Sequence, residues 1–329
     1  MDKMIKDTYN RTHDYLRISL TDVCNLRCFY CMPDEDYDFT PEARLMQVDE
    51  IETIAKTFVA LGVNKIRLTG GEPLARKDVG EILQRLSKLP VTLTMTTNAT
   101  LLHRYMDILK ETGVRSLNIS LDTLKPEKFL WMTRRKQFKS ALDNIELAME
   151  NGFHVKVNAV IMKGLNDNEI LDFVAWTKDH PIHVRFIEFM PFSGNKWTSN
   201  QVFTWKEMLE IVKSEYRPER LAEGPHDTAK KYRIPGHKGT FAVISTMSAP
   251  FCSGCNRMRL TADGKMKNCL FSKGEMDLLA ALRKGEALEP LIRKNVLQKA
   301  RGLGGQLDKD FKKMDGKDIE NRSMISIGG

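Results

Sequence analysis

The sequence predicts an α/β protein built as a partial (β/α)6 TIM-type barrel, with a C-terminal region closing the barrel mouth. Three observations predict it. Six apolar, β-branched runs alternate with helical patterns along the first two thirds of the chain. Nearly every run ends on polar or small residues suited to chemistry. The composition changes after about Gly224.

The runs are Leu16–Leu20, Lys65–Gly70, Thr92–Asn98, Ser116–Asp122, His154–Ile161 and His183–Met190. Helical spacing falls between them at about Val48–Leu61, Val79–Lys88, Leu102–Thr112, Phe138–Asn151 and Asn168–Lys178, with another helix over Thr204–Ser214. Strands alternating with helices indicate a parallel sheet covered by helices. A doubly wound sheet satisfies the same pattern. The strand ends favour the barrel, where carboxyl ends converge on one face. They read Thr21-Asp22, Thr69-Gly70-Gly71-Glu72, Thr96-Thr97-Asn98, Ser120-Leu121-Asp122 and Glu188-Phe189-Met190. Six units are too few to close a barrel of eight, so it is read as open. Pro225 to Gly239 reads as a loop, Thr240–Ser245 as a strand, and Glu275–Arg283 and Leu288–Lys299 as helices. The stretch from Leu303 to Gly329 is weakly patterned. The division expected is 1–223 for the barrel and 224–329 for the second region.

The chain has 329 residues, 42% hydrophobic and 29% charged, the balance of an ordinary globular protein. No apolar run approaches a membrane span, and Met1 to Asn10 has no apolar h-region, so a cytoplasmic location and no membrane partner are expected. The net charge of +8 is spread along the chain without an Arg-rich block. No nucleic-acid partner is expected. The six cysteines fall in two groups of three, which reads as metal or cluster ligation and not as a disulfide framework.

Cys24, Cys28 and Cys31 follow the first strand at the catalytic face. Three thiolates can hold three irons of a cubane and leave the fourth open to an exogenous ligand. The alternative is zinc, but structural zinc takes four protein ligands, and the nearest histidine, His13, lies upstream of the strand. Cys-x3-Cys-x2-Cys with Tyr30 before the last cysteine resembles the signature of the radical S-adenosylmethionine (SAM) superfamily, whose members share a partial (β/α)6 barrel. The resemblance implies a [4Fe–4S] cluster on these cysteines, whose open iron is chelated by SAM, and release of a 5′-deoxyadenosyl radical. It also implies cofactor contacts from Gly71 within Gly70-Gly71-Glu72-Pro73, from Ser120 and Met190 at strand ends, and from Tyr30 against the adenine.

Cys252-x2-Cys255-x13-Cys269 is again a triplet. Zinc is a stronger alternative here, with His226 or His237 as a fourth ligand. The three-and-three split favours a second [4Fe–4S] cluster. Arg257 and Arg259 beside it point to the same side if extended. Arg17, Arg67, Lys156 and Arg185 are charges inside otherwise apolar strands. A charge there is costly unless it is paired, for instance with Glu72 or Glu188, or faces a ligand. The set favours a polyanionic substrate.

The chain resembles the GTP 3′,8-cyclase family of molybdenum cofactor biosynthesis nearly end to end. The resemblance is carried by Leu16 to Cys28, Tyr30 to Pro33, Ile66 to Leu74, Thr96 to Asn98, Val155 to Asn158, Ile182 to Met190, Phe251 to Cys255 and Cys269 to Phe271. The final Ile327-Gly328-Gly329 fits a family tail that reaches into the active site. The resemblance implies GTP contacts at Arg17, Lys65, Arg67, Thr96, Lys156, Arg185, Arg257 and Arg259, with guanine on the open iron of the second cluster. It implies hydrogen abstraction from C3′ of GTP, attack of C3′ on C8, and 3′,8-cyclo-7,8-dihydro-GTP as product. It further implies a reductant or electron-donor protein, a downstream cyclic pyranopterin monophosphate synthase, and a homodimer. Two residues depart from the family pattern: Ala99 stands where glycine is usual, and Phe29 where an acidic residue is common.

Overall fold

The structure, a computed structural model, describes residues 4–33, 37–307 and 310–328. Strands β1 (Tyr15–Ser19), β2 (Lys65–Thr69), β3 (Thr92–Thr97), β4 (Ser116–Ser120), β5 (His154–Ile161) and β6 (His183–Glu188) pair in parallel and in chain order. Helices α1 (Val48–Ala60), α2 (Val79–Leu86), α3 (Met106–Glu111), α4 (Pro126–Thr133), α5 (Phe138–Glu150) and α6 (Ile170–Trp176) connect them, and α7 (Trp205–Glu215) follows β6. Local signals start several of these helices. Gln47 and Glu50 form a capping box on α1, as do Thr204 and Glu207 on α7, and Pro126 occupies the first turn of α4.

The C-terminal strands join the same sheet. They are β7 (Glu219–Arg220), β8 (Lys230–Arg233), β9 (Thr240–Ile244), β10 (Arg257–Leu260), β11 (Lys265–Lys267) and β12 (Met276–Asp277). Strand β9 adds parallel to β6, and β10 adds parallel to β1, so the order is β12-β11-β10-β1-β2-β3-β4-β5-β6-β9-β8-β7. The barrel is partial and is not closed by hydrogen bonds. Helices α8 (Leu278–Arg283) and α9 (Leu288–Leu297) lie beyond it, and α10 (Met324–Ile327) ends the described chain.

Several elements differ from the sequence expectation: β7, β10, β11, β12 and α10 have no counterpart in it, and two further cases show why. The expected loop 225–239 contains β8, whose Lys-Lys-Tyr-Arg has no apolar alternation; Tyr232 alone is buried there, stacked on Phe241 of β9. Helix α4 stands between β4 and α5, announced only by Pro126.

The strands are inverted relative to an ordinary barrel. Positions turned to the helices are apolar and buried: Leu16 and Ile18, Ile66 and Leu68, Leu117 and Ile119, Val155 and Val157, Val184 and Phe186. Positions turned inward are polar or charged: Tyr15 and Arg17, Lys65 and Arg67, Asn118 and Ser120, Lys156 and Asn158. Period two forces this separation of the faces. The hydrophobic core therefore lies between sheet and helices, and the barrel interior is left for a polar cavity.

Candidate active site

That interior is a cavity of about 630 Å³ with a cysteine triplet at each end. Cys24, Cys28 and Cys31 follow the carboxyl end of β1. Cys252 and Cys255 precede the amino end of β10, which runs parallel to β1 with Tyr15 opposite Arg257. The triplets thus stand at opposite ends of one strand pair. All the cysteines and all the cofactor and substrate contacts expected from the sequence line this cavity, Tyr30, Gly71, Thr96, Ser120, Lys156, Arg185 and Met190 among them. None is left on the outer surface.

At the first end, the cysteine loop is pressed against the turn after β2. Gly71 N donates to Thr21 O at 2.7 Å and Glu72 N to Val23 O at 2.9 Å. A Cβ on Gly71 would lie 2.6 Å from both Asp22 O and Val23 O, so only glycine permits this approach. Glu72 accepts from Leu74 N, Thr97 Oγ1 and Asn98 N, which commits it to the loop. Burial pushes its carboxyl up to about 7. Tyr30 donates to Asp122 Oδ2 at 2.6 Å, and burial raises Asp122 to about 6. Burial, with Glu72 adding to it, pushes the Cys24 thiol up to about 11. Burial likewise raises Cys28 and Cys31, with the neighbouring thiols contributing. This end is buried and carries carboxylates.

The two departures from the family pattern are both accommodated. Phe29 packs its ring 5.1 Å from Trp131 and at right angles to Tyr30. Ala99 adopts φ 63°, the left-handed region that glycine prefers. Asn144 Nδ2 donates to Ala99 O at 2.7 Å and Ala99 N donates to Thr97 Oγ1 at 3.1 Å, fixing the turn. The strain of about 1 kcal/mol is offset by burial of one methyl, about 0.8 kcal/mol.

Between the ends, strand register sets the cations in rows. Arg259, Arg17 and Arg67 are direct neighbours across β10, β1 and β2, and Arg257, Tyr15 and Lys65 form the adjoining row. Neighbouring strands are about 4.8 Å apart, and like charges placed side by side repel. Arg67 donates to Tyr15 Oη at 2.6 Å and Met95 O at 2.9 Å, and Lys65 Nζ sits 4.9 Å from the Tyr15 ring centroid. Arg259 donates to Gly328 O at 2.7 Å. These partners are neutral. Glu188 accepts instead from Trp205 N, Met247 N, Ser248 N and Ser248 Oγ. Burial, then Arg185, Arg67 and Lys65, pull Lys156 down to about 8. Burial, then Arg67, lowers Arg185, and burial, then Arg259, lowers Arg17. Burial raises the Tyr15 phenol, but the surrounding cations outweigh it and bring Tyr15 to about 8. Thr96 Oγ1, Asn118 Oδ1, Asn158 Oδ1 and Arg185 Nε are buried without a hydrogen-bond partner in the structure. Buried polar atoms are normally satisfied, so these four are open to a ligand in the cavity.

At the second end, Cys252 Sγ accepts from Leu303 N at 3.3 Å, and Cys255 Sγ faces Lys299 Nζ at 3.5 Å. Burial raises the Cys255 thiol, but Arg257 and Lys299 outweigh it and bring it to about 6. Of the zinc alternative's histidines, His237 bonds Thr177 and His226 bonds Gly254 O. Among the described residues no three His, Cys, Asp or Glu side chains converge enough to hold one metal ion. A cubane binds each thiolate through a different iron, so its ligands stand apart, and the triplets fit that donor set better.

The sequence reading missed Tyr15, Asn118, Asn158 and Lys299. Tyr15 carried a signal in the period-two series Tyr15, Arg17, Ser19. The tail reaches the cavity through Gly328, where an added Cβ would lie 2.7 Å from Ser19 Cβ and Thr69 Oγ1. Gly329 lies outside the described residues.

Fold and site define a radical SAM protein: residues 18–177 match the family described as Radical SAM superfamily, and residues 182–304 match that described as Molybdenum Cofactor Synthesis C. The chain is 48% identical over 333 residues to "GTP 3′,8-cyclase, mitochondrial" of Arabidopsis thaliana, covering 99% of this chain and 84% of that one. It is 42% identical to "GTP 3′,8-cyclase" of Listeria monocytogenes, covering 89% and 90%. It spans about half of "Molybdenum cofactor biosynthesis protein 1" of Mus musculus, with 46% identity over 98% of this chain and 51% of that one. The chain belongs to the GTP 3′,8-cyclase family. Among solved structures it is similar in fold to Streptococcus suis SuiB bound to S-adenosylmethionine, with 17% identity, a TM-score of 0.59, and coverage of 97% of this chain and 78% of that one. No helix among the described residues is long and apolar enough to cross a membrane.

Proposed function

We propose that the chain's own cavity carries the family reaction, the conversion of GTP to 3′,8-cyclo-7,8-dihydro-GTP that begins molybdenum cofactor biosynthesis. The first triplet would hold a [4Fe–4S] cluster and SAM, and the second triplet a second [4Fe–4S] cluster. When bound, the first cluster and SAM supply a 5′-deoxyadenosyl radical able to take the C3′ hydrogen of GTP. The observation that carries the reading is the pair of register-aligned rows, five cations and Tyr15, between the two thiol triplets.

Each residue then has a physical task. Arg17, Arg67 and Arg259 present guanidinium forks to the triphosphate, which relieves their mutual repulsion. Lys65, Lys156, Arg185 and Arg257 neutralise the remaining charge. Thr96, Asn118 and Asn158 offer neutral partners to ribose or base. Tyr30 is fixed by Asp122 and closes the side of the SAM position, and Gly71, Ser120 and Met190 line it. Tyr15 holds Arg67 and Lys65 in line. Fixing C3′ between radical and C8 would supply much of the rate through orientation alone. A reductant or electron-donor protein provides the electrons, and a cyclic pyranopterin monophosphate synthase receives the product. The homodimer and the cytoplasmic location belong to the same reading.

Anaerobic chain should carry about eight irons. With reductant, SAM and GTP it should yield 5′-deoxyadenosine and cyclised GTP. Recovery of unchanged GTP beside cleaved SAM would overturn the residue assignment for substrate, and about four irons would overturn the second cluster.

A further inference from the structure

We propose that Lys299 is the counter-charge of the second cysteine triplet, a positioning residue whose ammonium keeps a cluster held there easier to reduce. The inference rests on the two-cluster reading above. Lys299 follows α9 and is only 4% exposed. Its Nζ donates to Arg257 O at 2.8 Å and faces Cys255 Sγ at 3.5 Å. Among the described residues no carboxylate pairs with it. The nearby Asp7 is already committed to Arg11 and His13. Arg11, in turn, donates to Cys252 O, Ala300 O and Arg301 O, closing this region with more positive charge.

A buried ammonium without a counter-ion costs several kcal/mol, so the fold retains one only where negative charge meets it. The thiolates of Cys255 and Cys269 are that charge. Three thiolates on a [4Fe–4S]2+ core carry one net negative charge, and uptake of one electron from an external reductant makes it two. A fixed cation and N–H···S contacts favour the more negative state and raise the reduction potential. The first triplet is built differently. Among the described residues the hydrogen bonds to Cys24 Sγ come from neutral donors, Leu26 N at 3.4 Å and Asn98 Nδ2 at 3.8 Å; the nearby cation Arg27 bonds the Cys24 carbonyl, and buried Glu72 and Asp122 stand by.

The test uses full-length chain in which Cys24, Cys28 and Cys31 are serine, so that only the second triplet holds iron. Iron content and a redox titration followed by electron paramagnetic resonance are compared for Lys299, Lys299→Gln and Lys299→Arg. All should hold about four irons. The midpoint potential should fall in Lys299→Gln and return in Lys299→Arg. Loss of iron in Lys299→Gln with retention in Lys299→Arg would equally show that the charge is required. An unchanged potential in Lys299→Gln, or Lys299→Arg behaving like Lys299→Gln, would overturn the proposal. If the parent itself holds no iron at the second triplet, the two-cluster reading fails instead.

Discussion

Lys156 allows the polyanion site to be tested by proton linkage. In the free protein, burial and the cations Arg185, Arg67 and Lys65 lower its ammonium from 10.5 to about 8. A bound triphosphate reverses those causes and pushes it back up. The bound state then holds more protons than the free state above about pH 8, so affinity must fall as pH rises. If the bound value returns to the ordinary one, affinity drops about 20-fold between about pH 7.5 and about pH 9.5, and near pH 9 binding takes up about 0.9 proton. Tyr15, at about 8, titrates in the same window with the same sign. Asp227 feels Lys156 and pairs with Lys231. The Lys156→Met variant separates these contributions. Calorimetry of GTP binding in buffers of different ionisation enthalpy reads the proton count directly. Wild type should show uptake, reduced in Lys156→Met together with the slope of affinity against pH. Equal uptake in both proteins, or proton release on binding, would refute the placement of Lys156 against phosphate.

Three further outcomes are expected. Tyr15→Phe leaves Arg67 Nε without its acceptor, at about 1–3 kcal/mol, so the KM for GTP should rise about tenfold with kcat less affected and iron unchanged; an unaltered KM would remove Tyr15 from the site. Glu188→Ala strands three backbone N–H groups, and denaturant unfolding should show a loss of about 3–5 kcal/mol. Gly328→Ala places a methyl 2.7 Å from Ser19 Cβ at φ 79°, so hydrogen exchange near the C-terminus should speed up while β1 stays protected.

The six barrel strands were legible because each carries an apolar outer face that helices must cover. Both triplets were legible because cysteines grouped three and three at short spacing read as metal or cluster ligation. The rows were not. Arg17, Arg67 and Arg259 each stood out as charges, but Arg259 joins the other two only through β10 pairing with β1 across more than two hundred residues. Nothing local encodes that pairing, just as nothing in Lys230 to Arg233 announces a strand. Lys299 enters the sequence reading only as the last residue of the helix expected over Leu288–Lys299, and it is burial that sets it apart from the other lysines of that stretch. Asn118 and Asn158 sit on the inward phase of β4 and β5, a pattern visible once the barrel interior is known to be polar.

Because the strands turn their apolar faces outward, two properties that usually compete are housed in different layers. Folding energy comes chiefly from the interface of sheet and helices, while the charged and polar groups of the cavity stand on the opposite face of the same strands. A replacement in the lining removes a binding group without opening a hole in the core. Such a chassis can be refitted for a new substrate at little thermodynamic cost, and the shared fold at 17% identity with the Streptococcus suis protein is the divergence that freedom allows.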